Sequence, residues 1–468
     1  MKKFTFKRFA LAASLLLTAS AAWSATPKYV FYFIGDGMGI SEVTNAQLYN
    51  KYVLKSEKPL LMTTFPVVSM ATTHSASSDV TDSAAAGTAL ASGVKTKNGM
   101  LGMAPDTTAV TSIAKYLHDD GFGVGLVTSV AIDDATPGAF YTHVANRGQF
   151  YDTGRFLAES GYEFAAGAAL RGTKDRNGKD NGLMDYFAKN NVNVSYGLEG
   201  IDPKAKKVLV LSPFHEQSNN EIGYTIDSIP GALTLPALTK AGLEHLKRVS
   251  PDKFFMMVEG GNIDHAGHGN DGGTSIREVV NFNEALQIAY DFYLEHADET
   301  LIVVTADHET GGMSVGCNTT GYSVRPFVAA GQKVSKDKFN EHCHAILKSD
   351  KPYTWEEMEQ YLRDKVGFWT NVKLSDDENA QLRNMFNEIF EKRNSGEDQK
   401  TLYSSFNQFA NHVFKLLNAK SGFGWTTGSH TGSPVPVYAV GVDAQRFSSL
   451  NDNTELPKKI MRILGKTM

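Results

Sequence analysis

The sequence predicts an α/β fold, a large, mostly parallel central sheet flanked by helices on both faces, enlarged by a helical insertion. Three observations carry this. Short β-branched and aromatic runs recur along the chain, helical patterns lie between most of them, and the alternation fails over residues 318–424. A parallel sheet buried on both faces needs apolar strands joined by crossover helices, and that need produces such an alternation.

In chain order, Lys28 to Ile34 is β-branched and aromatic and runs into Gly35-Asp36-Gly37-Met38-Gly39, a strand ending in a turn that opens a helix. Further apolar runs follow at Val124 to Thr128, Val208 to Leu211, Phe254 to Val258, Leu301 to Thr305 and Val437 to Val440. Helical patterns occupy Val110 to Asp119, Pro236 to Val249 and Ile276 to Glu295. Ligands of such sheets collect beyond the carboxyl ends of the strands. Asp36, Glu259 and the pair Asp307-His308 each follow an apolar run, so they can meet at one edge.

Residues 318–424 predict three amphipathic helices, Thr354 to Lys365, Ser375 to Arg393 and Leu402 to Ala419. In the second, Leu382, Met385, Phe386, Ile389 and Phe390 form one stripe, and Ser375 with Glu378 makes a capping box. The strand pattern resumes only near Val437, which marks an insertion within a single catalytic domain spanning 26–468.

The first 25 residues read as a secretory signal peptide: Lys2, Lys3, Lys7 and Arg8 precede the apolar run Phe9 to Leu17, and small residues come after it. Cleavage is expected between 21 and 25, giving a periplasmic or secreted protein. No later stretch reaches 18 apolar residues, which predicts no membrane span. Losing four cations and no anions takes the formal charge from −5 to −9, so nothing favours general nucleic-acid binding. Export permits a disulfide between Cys317 and Cys343, the only cysteines, with two unpaired thiols as the alternative.

Four windows carry chemistry. In Val80-Thr81-Asp82-Ser83-Ala84-Ala85-Ala86-Gly87-Thr88, a serine at a helix start meets N–H groups and a dipole that attract an anion, although a capped helix packed through alanines reads the same way. Glu259-Gly260-Gly261-Asn262-Ile263-Asp264-His265-Ala266-Gly267-His268 holds two carboxylates and two imidazoles; one helical turn puts Asp264 and His268 on one face as ligands of one ion. Thr305-Ala306-Asp307-His308-Glu309-Thr310 ends a strand with a carboxylate beside an imidazole, and Gly428-Ser429-His430-Thr431-Gly432 presents another imidazole in a turn. Mixed His and Asp donors suit zinc, whereas carboxylate and hydroxyl oxygens suit magnesium.

Taken together and in this order, these windows resemble the alkaline phosphatases, over a core from about Lys28 to Val442 excluding the insertion. The resemblance implies two zinc ions and one magnesium ion. It places Asp264, His268 and His430 on the first zinc; Asp36, Asp307, His308 and the Ser83 oxygen on the second; and Asp36, Thr136 and Glu259 on magnesium. Thr136 comes from Asp134-Ala135-Thr136-Pro137, which resembles the family's magnesium loop, and the family's phosphate-binding arginine falls at Arg147. Asp82, Asp134 and His265 would stand behind these groups or near the phosphate. The implied reaction is hydrolysis of small phosphomonoesters through a phosphoserine on Ser83, with inorganic phosphate as product inhibitor and rates rising with pH. Homodimers, common in the family, are implied too, and the resemblance implies that the insertion caps the active-site rim or builds a dimer contact, with a solvated decoration as the alternative.

One departure is His265, where some bacterial members carry lysine. It implies a weaker hold on product phosphate, unless His265 faces solvent with no kinetic part. Related enzymes offer rival readings. Sulfatases need Cys or Ser followed by Pro and Arg, absent from Ala84 to Gly87, and diesterases lack a third metal site of the Thr136 and Glu259 type. A non-catalytic binder of phosphate or zinc is a rival of another class, but binding alone requires no serine among the ligands.

Overall fold

The computed structural model describes residues 26–215, 221–394, 399–402 and 404–468, so the expected leader and its cleavage point lie outside the described residues. Ten strands build the central sheet: β1 Tyr29–Ile34, β2 Val67–Thr72, β3 Gly123–Thr128, β4 Phe164–Gly167, β5 Val192–Tyr196, β6 Lys207–Leu211, β7 Phe254–Glu259, β8 Thr300–Thr305, β9 Val435–Gly441 and β10 Asn451–Asp452. They run in the order β10-β2-β9-β8-β1-β7-β3-β4-β6-β5. Within the sheet β9 opposes both of its neighbours, and the other pairings are parallel. Helices cover both faces.

The middle strands are continuous apolar runs because neither face meets water; every residue of β1, β7 and β8 is buried. Edge-on aromatic pairs fix the layers, with Phe31 and Phe254 5.5 Å apart and Phe33 5.6 Å from Phe282 on the helix Gly272–Glu295. Helix starts differ from the periodicity by a few residues because caps decide them. Ser112, Thr234 and Asp271 accept from the backbone of Lys115, Ala237 and Thr274, opening helices at Ile113, Leu235 and Gly272.

Register decides where chemistry collects. Ile34 pairs with both Glu259 and Thr305, and Thr128 also pairs with Glu259. The carboxyl ends of β1, β3, β7 and β8 therefore lie side by side.

Residues 318–424 carry helices Lys336–Lys348, Trp355–Tyr361, Asp376–Phe386 and Gln408–Ser421. The first escapes the sequence reading because its surface is highly charged; Ser335 caps it. The Ser375 and Glu378 capping box forms as expected. The last helix begins at Gln408 rather than Leu402, because Ser405–Phe406 pairs with Gln399–Lys400 and Asn407 supplies the cap. These helices enclose a hydrophobic core of their own around Phe339, Met358, Leu382, Phe386 and Phe409. Cys343 belongs to that core, while the Cys317 thiol donates to the Ala419 carbonyl at 3.4 Å. Both are free thiols, which corrects the expected disulfide: one sulfur is committed to apolar packing and the other to a helix carbonyl.

Candidate active site

Ser83 is the first residue of the helix Ser83–Ser92, and the Asp82 side chain caps it by accepting from Ala85 N at 3.0 Å. The same carboxylate accepts from Gly99 N at 2.9 Å and tethers the turn. Small residues let this helix approach closely: a Cβ on Gly87 would lie 3.2 Å from Thr136 Cα. Ser83 is 1% exposed, and its Oγ lies 3.1 Å from His308 Nε2.

Two ligand clusters flank this hydroxyl. In the first, His308 Nε2 lies 3.6 Å from Asp36 Oδ1 and 3.1 Å from Asp307 Oδ2. In the second, His268 Nε2 and His430 Nε2 are 3.0 Å apart, and Asp264 oxygens sit 3.5 and 3.7 Å from them. The His308 and His430 rings stack at 3.6 Å and join the clusters. Gly37 makes the approach possible. Its φ is +70°, and a Cβ there would lie 2.8 Å from Asp264 Cα.

The imidazole tautomers follow from their outer partners. A carbonyl only accepts, so His268 Nδ1 donates to Gly428 O at 2.7 Å and His430 Nδ1 donates to Thr81 O at 2.9 Å. In a neutral ring so held, Nε2 is a lone-pair donor turned inward, as metal-binding histidines require. Burial, followed by the neighbouring His430, holds His308 well below its usual range, and burial lowers His430 as well, so both rings stay neutral.

The carboxylates carry the opposite strain. Burial, then Asp307 and Asp264, pushes Asp36 well above its usual range. Burial and Asp264 bring Asp307 to about 7, and burial above all brings Glu259 to about 8. Asp36 Oδ1, Glu259 Oε1, Asp264 Oδ2 and Asp307 Oδ2 are buried without a hydrogen-bond partner among the described residues. Clustered carboxylate oxygens facing neutral imidazole nitrogens fit divalent cations, and the described residues hold two such groupings, Asp264 with His308 and His430, and Asp36 with Asp307 and His308. On the far side of Asp36, Thr136 Oγ1 lies 3.4 Å from Oδ2. Thr136 and Glu259 thus add only oxygen donors, a set suited to a hard cation.

Arg147 is aimed by two acids: Nη2 donates to Asp134 Oδ1 at 3.0 Å and Nη1 to Asp82 Oδ2 at 3.5 Å. Burial alone would raise Asp134, but Arg171, Arg147 and His265 hold it far below the usual carboxylate range. His265 is buried, not solvent-facing, and its Nδ1 meets Glu221 Oε1 at 2.8 Å. Burial lowers that imidazole, yet the Glu221 hydrogen bond and charge outweigh it and raise the ring's pKa.

The structure brings together Asp36, Ser83, Thr136, Glu259, Asp264, His268, Asp307, His308 and His430, with Asp82, Asp134, Arg147 and His265 around them. Sequence reasoning missed four contributors. Arg171 lies 3.1 Å from Asp134 and stacks 4.0 Å over Phe150. Glu221 orients His265, and Thr128 donates to Glu259. Thr310 bridges Asp264 and His308, and its place two residues after His308 is the one signal that could have found it. Arg171 reaches the site from the short 3-10 helix Arg171–Thr173 and Glu221 from a bridge to Val130, with no sequence pattern to mark either.

Comparison with known proteins agrees with this geometry. The chain is 30% identical over 450 residues to alkaline phosphatase 3 of Bacillus subtilis (strain 168), covering 93% of this chain and 89% of that protein. The cold-active alkaline phosphatase from a psychrophilic Shewanella sp. superposes with a TM-score of 0.77 at 27% identity, covering 93% of this chain and 99% of that one. The Thermus thermophilus alkaline phosphatase gives 0.76 at 26%, covering 95% and 92%. A family profile described as alkaline phosphatase matches residues 27–166 and 174–466, and with these relatives it shows that the chain belongs to the alkaline phosphatase family, as a metal-binding hydrolase of phosphomonoesters.

Proposed function

We propose that Ser83 is the nucleophile in the hydrolysis of small phosphomonoesters. In this reading two zinc ions are held by Asp264, His268 and His430 and by Asp36, Asp307, His308 and Ser83, and one magnesium ion by Asp36, Thr136 and Glu259. The observation that carries it is the Ser83 hydroxyl 3.1 Å from His308 Nε2, at a capped helix start beside unpartnered buried carboxylates. When bound, the cations neutralise the phosphate dianion and lower the pKa of the serine hydroxyl and of a water.

The chain's own groups do the rest. The Arg147 guanidinium, held by Asp82 and Asp134, binds two phosphate oxygens in parallel. N–H groups at the start of the Ser83 helix face the same charge. Ser83 Oγ bonds to phosphorus, the ester P–O bond breaks in line, and the alcohol leaves on the side of Asp264, His268 and His430. Water then breaks the phosphoserine, returning the hydroxyl and releasing inorganic phosphate. An exported, dimeric enzyme fits this chemistry.

His265 sets product affinity in this reading, and His265→Lys lowers the phosphate inhibition constant by about threefold or more, because a permanent cation replaces an imidazole. An unchanged or higher constant refutes that role. The reading as a whole is tested by metal analysis with dialysis and add-back, alongside turnover of p-nitrophenyl phosphate and bis-p-nitrophenyl phosphate. Zinc and magnesium should restore activity, with the monoester favoured by orders of magnitude; a preferred diester overturns the reading.

A further inference from the structure

We propose that the cavity between the insertion and the metal loops is a subsite for the alcohol half of the substrate, selecting alcohols that carry a second phosphate. The proposal rests on the phosphomonoesterase reading above and names a substrate class for it.

Ser83 Oγ contacts His308, so in-line displacement sends the leaving oxygen toward Asp264, His268 and His430. His268 also lines a cavity of about 1040 Å³. One wall is His268 with Gly428 and Ser429, the two residues before His430. The opposite wall comes from the insertion, through residues 400–402 and the helix Gln408–Ser421. The insertion and a histidine of the metal cluster thus line one cavity.

The cavity's charge is one-sided. Lys336, Lys400 and Lys415 line it, and among the described residues no carboxylate does, although the whole chain carries −5. The rest of the polar lining includes amides and hydroxyls, such as Asn318, Thr319 and Gln381, with the imidazoles of His268 and His412. Lys336 is committed inside the wall, donating to Gly269 O at 2.7 Å with Nζ 4.2 Å from the Phe406 ring centre. With Lys336 so committed, Lys400 and Lys415 are the lysines left to meet an anion in the cavity. Both are exposed and have no ion-pair partner among the described residues. A concave, cationic chamber beside a reactive centre concentrates anions and rewards a second charge on the substrate.

The test uses the metal-loaded full chain and the α,ω-diol bisphosphates from ethane to hexane, each paired with the alkyl monophosphate of equal length. The readout is the ratio of the two kcat/KM values. A bisphosphate has two ends, so indifference gives a ratio of about two by statistics alone. The wild type should exceed that, with a maximum at one chain length that reports the reach to the lysines. Lys415→Glu and Lys400→Glu should each cut the ratio by about fivefold, and added salt should flatten it. Lys415→Gln should give a smaller drop in the same direction. A ratio of two or less at every length, or one unmoved by both charge reversals, overturns the subsite alone. Failure to turn over any alkyl phosphate overturns the subsite and the reading beneath it together.

Discussion

Ser83→Ala should lower kcat on p-nitrophenyl phosphate by about a thousandfold or more, a loss of roughly 4 kcal/mol in transition-state stabilisation. The loss is chemical rather than structural. Ser83 opens a helix whose next three residues are already alanines, and the cap belongs to Asp82, which accepts from Ala85 N. Alanine therefore fits the backbone without a cavity and keeps the helix. Asp36, Asp307 and His308 remain, so bound metal should fall by less than about one equivalent. Steady-state kinetics with metal analysis check both statements. Acid quenching after incubation with labelled phosphate adds a direct assay, since the wild type should carry label and the variant none. A variant that keeps more than about a tenth of wild-type turnover removes Ser83 from the reaction.

The second large effect concerns stability without cations. Asp36, Asp307 and Glu259 hold protons more tightly when folded than when unfolded, with Asp307 near 7 and Glu259 near 8. Unfolded carboxyls titrate near 4. Raised values mean that the folded state binds extra protons between these limits. Their contribution to stability is fully present below about pH 4 and is lost as pH rises through about 7 and 8. Each proton contributes about 1.4 kcal/mol per pH unit while this persists. Bound cations replace those protons. The gap in Tm between metal-loaded and chelated protein should therefore widen steadily from pH 5.5 to pH 9, as scanning calorimetry can measure. A gap independent of pH would show that these acids share no cation.

Much of the architecture could be read in advance because burial writes itself into the strands. Tyr29–Ile34, Phe254–Glu259 and Thr300–Thr305 are apolar on both faces, and the chemical windows come directly after them, so Asp36, Glu259, Asp307 and His308 were visible as strand-end residues. Phe164–Gly167 escaped notice because four residues of FAAG carry no period, and Val192–Tyr196 because a half-buried strand dilutes its pattern with asparagine and serine. Lys336–Lys348 was hidden by its charge, although Phe339, Cys343 and Ile346 face a core. That same core explains the failed disulfide: a buried cysteine in a hydrophobic cluster is as ordinary as a bridged one, and composition cannot separate them. Arg171 and Glu221 show the remaining limit. Each acts through a residue distant in sequence, Asp134 or His265, and only the folded chain makes them neighbours.

The long sequence spans closed at the site also govern when this protein can become an enzyme during its own synthesis. Thr81 and His430 are hydrogen-bonded across 349 positions, and Ser83 meets His308 across 225. No segment of the growing chain holds a complete donor set, and loop closure over such spans is slow. Nascent or partly folded forms should be hydrolytically silent, with activity appearing only after the segment that carries His430 docks.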